Sequence, residues 1–98
     1  MIIQKTLEQD TLTISLEGRL DTSSSPQLED ALAASLNGVR ELVFDMAKLD
    51  YLSSAGLRVL LSAHKRMSEQ GGMKLRNVGE TVKEVFEITG FSDFLDIE

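Results

Sequence analysis

The segment from residue 42 to residue 67 most constrains the fold, because a buried strand, a pair of serines and an amphipathic helix follow one another there. The apolar run Leu42-Val43-Phe44 ends in Asp45 and is typical of a strand that is buried on both faces. After a polar connection, Ser53-Ser54 stands directly before an apolar pattern with helical spacing. The residues of that pattern are Leu57, Leu60, Leu61, His64 and Met67. In α/β sheets the crevice beyond the carboxyl ends of the strands is where ligands and modifications tend to lie, so the pattern favours a functional role for the serine pair.

The N-terminal third predicts a hairpin and a first helix. Candidate strands run from Ile2 to Leu7 and from Thr11 to Glu17, with a turn at residues 8–10 between them. Ser25 can cap a helix that has Pro26 at its first position and that runs to about Leu36. The central strand is then expected near residues 41–45.

The C-terminal third predicts one more strand and one more helix. Gly71-Gly72 can close the central helix in the left-handed conformation, and residues 73–78 form a strand candidate. Residues 81–84 have the form of a capping box for a short helix that Gly90 can close. Three apolar residues then predict a last turn or short strand: Phe94, Leu95 and Ile97. The order β, β, α, β, α, β, α predicts a single α/β domain over residues 1–98.

Composition excludes several classes of function. The net charge of −6 argues against a sequence-independent grip on nucleic acid, which needs a basic patch. The chain has no cysteine, so it has no disulfide, no thiolate nucleophile and no cysteine-ligated metal. It also lacks an apolar run of membrane-spanning length and a signal-peptide core. These features predict a cytoplasmic protein without membrane insertion. The glycines form neither a phosphate loop nor a dinucleotide-binding fingerprint, so no cofactor is expected.

Three motifs in order carry a resemblance to a known family. They are the run Gly18-Arg19-Leu20-Asp21, the run from Leu52 to Leu57 and the run from Val85 to Phe91. In sequence and spacing they resemble those of STAS domains (sulfate transporter and anti-sigma factor antagonist), and among these the free-standing bacterial anti-sigma factor antagonists. The resemblance covers nearly the whole chain. It implies a mixed sheet of four to five strands with an N-terminal hairpin and about three to four helices.

The resemblance also implies a partner switch. In such antagonists the unmodified protein binds an anti-sigma factor that is itself a serine kinase, and so releases a sigma factor. The kinase then phosphorylates a serine at the start of the central helix, the complex dissociates, and a metal-dependent serine phosphatase resets the protein. Matching the motifs places the phosphorylated serine at Ser54 and a partner-binding aspartate at Asp21. Ser53, Gly56 and Arg58 belong to the same predicted partner-binding surface.

Alternatives remain for these residues. The usual family pattern has an aspartate directly before the acceptor, where this chain has Ser53, so the choice between Ser53 and Ser54 stays open. The two serines can also simply cap a helix, and Asp21 can be a turn residue. Gly18 and Gly56 can serve only to permit close approach of the backbone. A non-phosphorylated STAS subunit of a lipid-transport or other signalling assembly is the alternative function.

An enzymatic role has little support in the sequence. A nucleophilic serine needs an adjacent base, and the single histidine, His64, lies ten residues beyond Ser54 on the same predicted helix. At about 1.5 Å rise per residue the two side chains would be about 15 Å apart, far beyond proton-transfer distance. Asp21, Asp45 and Asp50 could gather as a metal site at one end of the sheet, although acidic loop residues are more often solvated. The expectation is therefore a regulator with no catalytic or metal-binding residues.

Overall fold

The sheet has five strands in sequence order within residues 1–93 and 95–98, which are the residues that the computed structural model describes. Strands β1 (Ile2–Glu8) and β2 (Thr11–Leu20) form the expected antiparallel hairpin. Strands β3 (Glu41–Leu52), β4 (Gly72–Arg76) and β5 (Asp96–Ile97) follow, each parallel to the strand before it. The predicted mixed sheet with an N-terminal hairpin is confirmed. Phe94, which the sequence places in the last apolar turn, lies outside the described residues.

The helices cover one face of this sheet. They are α1 (Ser25–Ser35), α2 (Ser54–Gln70) and α3 (Glu80–Thr89), and a 3₁₀ turn follows at Phe91–Asp93. Helix α2 packs on β3 and β4, α1 packs on α2, and α3 packs on β3. Fully buried side chains from the sheet and from all three helices form the core, among them Ile14, Leu28, Phe44, Leu60, Leu75 and Phe86. The buried faces of the three helices therefore meet the inward-facing residues of the sheet in a shared core.

The opposite face of the sheet is mostly polar, with Val43 buried on it. Thr13, Ser15 and Asp45 lie there, in the registers Thr13↔Val43 and Ser15↔Asp45. Ion pairs cross neighbouring strands on this face, with 3.6 Å between Lys74 Nζ and Glu41 Oε1. Parallel sheets are usually covered on both faces, because the helices that connect their strands pack there. Here the alternation of β2 and the charges of β4 leave one face suited to water.

Strand β3 is much longer than the sequence predicts. The strand expected near residues 41–45 is present, but the polar connection expected after it is wrong, because the strand continues to Leu52. Two register shifts against β2, between Ser15 and Glu17 and between Gly18 and Arg19, each give β3 one extra residue. A bulge converts the period of two into a local spacing of three, so the buried residues of this half are Met46, Leu49 and Leu52. That spacing does not have the alternation by which a strand is recognised.

Two helix starts also differ from the prediction. The N-cap of α1 is Ser24 rather than Ser25, so Pro26 occupies the second helical position. Helix α3 begins at Glu80 after Gly79, without a side-chain cap, so the capping box predicted at residues 81–84 is wrong. In both cases the chain enters the helical conformation one or two residues earlier than the side-chain pattern indicates. Backbone groups in the preceding loop can start a helix without the preferred cap residue.

The glycines at the helix ends have different roles. Gly90 closes α3 in the left-handed conformation, with φ of 82°, as predicted. Gly71 follows α2 with φ of 170°, so the predicted left-handed closure is wrong there. A Cβ at Gly71 would overlap the carbonyl oxygen of Arg40, so this glycine is required for space. The close approach brings β4 alongside β3, where the Gly72 N–H donates to the Arg40 oxygen at 2.9 Å.

Candidate functional site

The carboxyl ends of β2 and β3 meet at one edge of the sheet. Their last residues, Leu20 and Leu52, are partners in the parallel register. The backbone N–H of Ser53 donates to the Leu20 oxygen at 2.9 Å. Asp21 and Ser53, which directly follow the two strands, are therefore neighbours, although 32 residues separate them in the chain. This edge is the place where open α/β sheets carry their functional groups.

The two serines at the start of α2 have different environments. Ser53 is the N-cap, half-buried, and its Oγ accepts a hydrogen bond from the Gly56 N–H at 3.2 Å. Ser54 is the first helical residue, is exposed, and makes no side-chain hydrogen bond within the described residues. The capping interpretation thus holds for Ser53. The free hydroxyl of the pair belongs to Ser54.

Gly56 fixes how closely α2 approaches β2. The residue is buried, and a Cβ there would lie 2.6 Å from Leu20 Cγ and 2.8 Å from the Leu20 oxygen. Real Cβ atoms almost never come so near to other heavy atoms, so a side chain would displace the helix start. Close packing therefore explains the glycine. Its predicted contact with a partner stays a prediction.

Asp21 is held in a tight turn ahead of α1. Its Oδ1 accepts hydrogen bonds from the Ser23 Oγ at 2.8 Å and from the Ser23 and Ser24 N–H groups, each at 3.1 Å. These bonds, the one from the Ser23 hydroxyl first, lower the pKa of Asp21 from 3.8 to about 2. The carboxylate is therefore fixed in orientation and ionised throughout the neutral range. It serves as a turn residue and presents a negative charge at the edge of the sheet.

The serines after Asp21 complete that turn. The Ser24 Oγ donates to the Arg19 oxygen at 2.7 Å and accepts from the Asp21 N–H at 2.9 Å. Ser25 is buried, and its Oγ donates to the Asp21 oxygen at 2.5 Å. The serine run at the start of α1 is thus committed to the turn. Its hydroxyls have structural partners, unlike that of Ser54.

Arg19 and Tyr51 lie at the same edge, and neither is singled out by the sequence. The Arg19 guanidinium carbon lies 4.1 Å from the centroid of the Tyr51 ring. The Arg19 Nε lies 3.6 Å from the Asp21 Oδ2. The two residues are register partners only because of the bulge after Gly18, which the sequence does not reveal. The one available signal is that Arg19 belongs to the same four-residue motif as Asp21.

Other candidate residues are more dispersed. Arg58 is exposed on α2, four residues after Ser54, and so shares a helix face with it. Asp45 lies within β3, where hydrogen bonds from the Asn77 side chain and the Ala47 N–H lower its pKa. Across residues 1–93 and 95–98, no group of three histidine, aspartate or glutamate side chains is placed to hold a metal ion. The aspartates considered for a metal site are not brought together as one.

The family of the chain follows from comparison with known domains. The family model for the STAS domain matches residues 3–98. This chain belongs to the STAS domain family. The predicted motifs of this STAS domain lie at Gly18, at the start of α2 and at the end of α3. In the described part of the chain, no helix is long and apolar enough to cross a membrane.

Relatives of this STAS domain carry a common name. BtrV of Bordetella bronchiseptica, whose name includes the words anti-sigma factor antagonist, is 45% identical over 78 residues, which is 78% of this chain and 67% of BtrV. The anti-sigma-B factor antagonist of Bacillus subtilis is 30% identical over 90 residues, which is 91% of this chain and 83% of that protein. Both relatives are covered over two thirds or more of their length.

The fold also matches solved structures. The Bacillus anti-sigma factor antagonist SpoIIAA in its unphosphorylated form superposes with a TM-score of 0.85 at 21% identity, over 99% of this chain and 88% of SpoIIAA. The phosphorylated form of SpoIIAA gives a TM-score of 0.77 at 20% identity, over 99% of this chain and 91% of SpoIIAA. At this level of identity the likeness concerns the fold. It confirms the STAS architecture that the motifs predict.

Proposed function

We propose that this STAS domain is an anti-sigma factor antagonist that works by partner switching in the cytoplasm. In its unphosphorylated state it binds an anti-sigma factor that is a serine kinase, and the bound sigma factor is released. Phosphorylation of Ser54 ends the complex, and a metal-dependent serine phosphatase restores binding. The proposed role is regulatory and needs no catalytic residue in this chain. The names of the relatives support the class of function.

The observation that carries the proposal is the free, exposed hydroxyl of Ser54, at the edge of the sheet that also carries the fixed carboxylate of Asp21. Ser53 is the poorer acceptor, because its Oγ is half-buried and already bonded to the Gly56 N–H. A kinase can reach the Ser54 hydroxyl without breaking a contact of the fold. This difference favours Ser54 over Ser53 as the phosphorylated residue.

The electrostatics of the helix start explain how a phosphate can switch binding without unfolding the domain. A phosphate on Ser54 would add about 1.5 to 2 negative charges in the first turn of α2. The N–H groups of a first helical turn lack intrahelical partners and favour negative charge, so the fold tolerates the modification. A partner that covers this surface must instead desolvate the phosphate or bring its own carboxylates close to it. The phosphate therefore raises the free energy of the complex with the partner and leaves the folding free energy of the domain nearly unchanged.

Arg58 and Asp21 extend the proposed surface on either side of Ser54. Arg58 lies one helical turn beyond Ser54, and Asp21 lies at the end of the neighbouring strand. The positive and the negative charge can orient a partner with the opposite pattern. Ser53 holds the helix start in place between them.

The first experiment maps phosphosites by mass spectrometry on the protein isolated from its own cells and identifies the proteins that copurify. We expect phosphate on Ser54 and a kinase-type anti-sigma factor in the same preparation. Membrane-transport subunits together with an unmodified Ser54 across growth conditions would contradict the partner switch. They would favour a constitutive STAS subunit.

The second experiment measures affinity for the purified kinase. Ser54→Asp is expected to weaken binding about tenfold or more, because it places a negative charge in the interface. The matched control is Thr81→Asp, which adds the same charge at an exposed position in the first turn of α3 and is expected to stay within about twofold of wild type. Both variants should keep the wild-type melting temperature. Equal affinity of Ser54→Asp and wild type would count against the proposal.

A further inference from the structure

Arg19, Asp21 and Tyr51 form a preassembled surface cluster at the edge of the sheet where α2 begins. The Arg19 guanidinium stacks on the Tyr51 ring at 4.1 Å, and its Nε lies 3.6 Å from the Asp21 carboxylate. The Arg19 side chain remains 62% exposed, and Tyr51 remains 38% exposed. The cluster is thus ordered by its own contacts and still accessible to another protein.

The backbone conformation at Gly18 places these side chains at the sheet edge. Gly18 has φ of 105°, a left-handed conformation that glycine adopts readily, and the register shift follows directly after it. The shift leaves Asp50 as the extra residue of β3 and brings Tyr51 opposite Arg19. Bulges commonly re-aim side chains next to functional sites. Without this one, Arg19 would pair with Asp50 instead of Tyr51.

We propose that Arg19 and Tyr51 are specificity-determining residues of the surface that binds the anti-sigma factor kinase. The Tyr51 ring supplies an apolar contact, and the Arg19 guanidinium pairs with a carboxylate of the partner. Asp21 in turn meets a cationic group of the partner. This inference rests on the proposed function and names the chemistry by which the partner is recognised.

The contacts of Arg19 with Tyr51 and Asp21 preorganise its side chain for binding. Tyrosine and arginine are enriched among the residues that dominate binding energy at interfaces. Flexible arginines lose side-chain entropy on binding, but Arg19 is already held by the ring and by Asp21, so less is lost. The ion pair with Asp21 is through Nε, so the exposed end of the guanidinium keeps donors for a partner carboxylate.

The charge pattern of the cluster also sets which partners fit. A positive group and a negative group stand side by side at the sheet edge, on a chain whose net charge is −6. A partner with a carboxylate opposite Arg19 and a cation opposite Asp21 satisfies both. A partner with the reverse order places like charges together and is rejected. The cluster can therefore discriminate among related kinases that all recognise the start of α2.

The test measures affinity for the purified kinase that copurifies with the unphosphorylated protein. Arg19→Glu and Tyr51→Ala are each expected to weaken binding about tenfold or more. The matched controls lie on α3, where Lys83→Glu reverses an exposed charge and Ile88→Ala truncates an apolar side chain that is 84% exposed. Both controls are expected to stay within about twofold of wild type. Circular dichroism melting verifies that each variant is folded.

A charge swap makes the test specific to pairing. Each carboxylate of the kinase that lies in the contact surface is changed to lysine in turn, and one such change should restore the affinity of Arg19→Glu. Wild-type affinity of both Arg19→Glu and Tyr51→Ala would overturn the inference. If Ser54→Asp still weakens binding in that case, the proposed function stands. If Ser54→Asp also binds like wild type, the proposed function fails as well.

Discussion

The starts of α1 and α2 lie at the same edge of the sheet and are both rich in serine, yet their hydroxyls are used differently. Before α1, the Ser23 and Ser24 side chains bond to the turn that holds Asp21, and Ser25 is buried. At α2, Ser53 alone caps the helix, and Ser54 has a free, exposed hydroxyl. The comparison shows that serines at two similar helix starts differ in whether the fold uses their hydroxyls. The proposed modification of Ser54 rests on a hydroxyl that the fold does not need.

The two starts also differ in how they are attached to the sheet. Helix α1 is joined to β2 through a hydrogen-bonded turn, in which the Ser25 N–H donates to the Asp21 oxygen at 2.8 Å. Helix α2 is joined to β2 by the hydrogen bond from the Ser53 N–H to the Leu20 oxygen and by direct packing of Gly56 on Leu20. A change in packing should therefore harm the α2 start most, and a change in pH should act on the α1 start, where the Asp21 carboxylate holds the turn.

The largest effect on stability is expected for Gly56→Ala. The added methyl group would lie 2.6 Å from Leu20 Cγ, so the start of α2 must move, with an expected loss of about 1–3 kcal/mol in the free energy of unfolding. The matched variant in α1 is Gln27→Ala, at the same position relative to the N-cap but exposed, with an expected change within about 0.5 kcal/mol. Urea denaturation measures both. A Gly56→Ala variant as stable as wild type would show that the packing contact is not limiting.

A smaller effect distinguishes the two serines of α2. Ser53→Ala removes the cap and should cost about 1 kcal/mol of stability, whereas Ser54→Ala removes a hydroxyl without a partner and should change stability by less than about 0.5 kcal/mol. Thermal and urea unfolding of the two variants give the comparison. Equal losses would mean that the Ser54 hydroxyl also supports the helix, and would weaken the argument that it is free for modification.

The smallest effect concerns the pH dependence of the α1 start. Because the pKa of Asp21 is lowered to about 2 in the fold, its carboxylate contributes stability above about pH 4, and this contribution is lost as the pH falls through about 2. Ser23→Ala removes the largest cause of the shift, so the pKa of Asp21 should rise towards 3.8. Carbon-detected NMR titration of the carboxyl group measures the change. Ser62→Ala serves as the control and should leave the titration unaltered, whereas an unmoved pKa in Ser23→Ala would disprove the assigned cause.

The sequence predicts the elements well where local periodicity is regular. The alternation of β2, the helical spacing from Leu57 to Met67 and the glycine at residue 90 each correspond to what the structure contains. The prediction is wrong where neighbouring strands alter the local pattern. The second half of β3 depends on its pairing with β2, and the need for glycine at residue 71 depends on the backbone of Arg40. Both partners are remote in the chain from the residues that they affect. Propensity rules use only residues that are close in the sequence, so they do not include such contacts.

The sequence by itself determined the α/β class, the STAS motifs and the serine pair at the start of α2, because these depend on residue types at short spacing. Only the tertiary structure decided which serine is free. The Ser53 hydroxyl accepts a hydrogen bond from the Gly56 N–H, and the position of Gly56 is fixed by its packing on Leu20. The tertiary structure alone also joined Arg19 to Tyr51, because a bulge must shift the register of two strands to bring them together. Such pairings depend on the relative placement of separate elements, which side-chain patterns along one element do not encode.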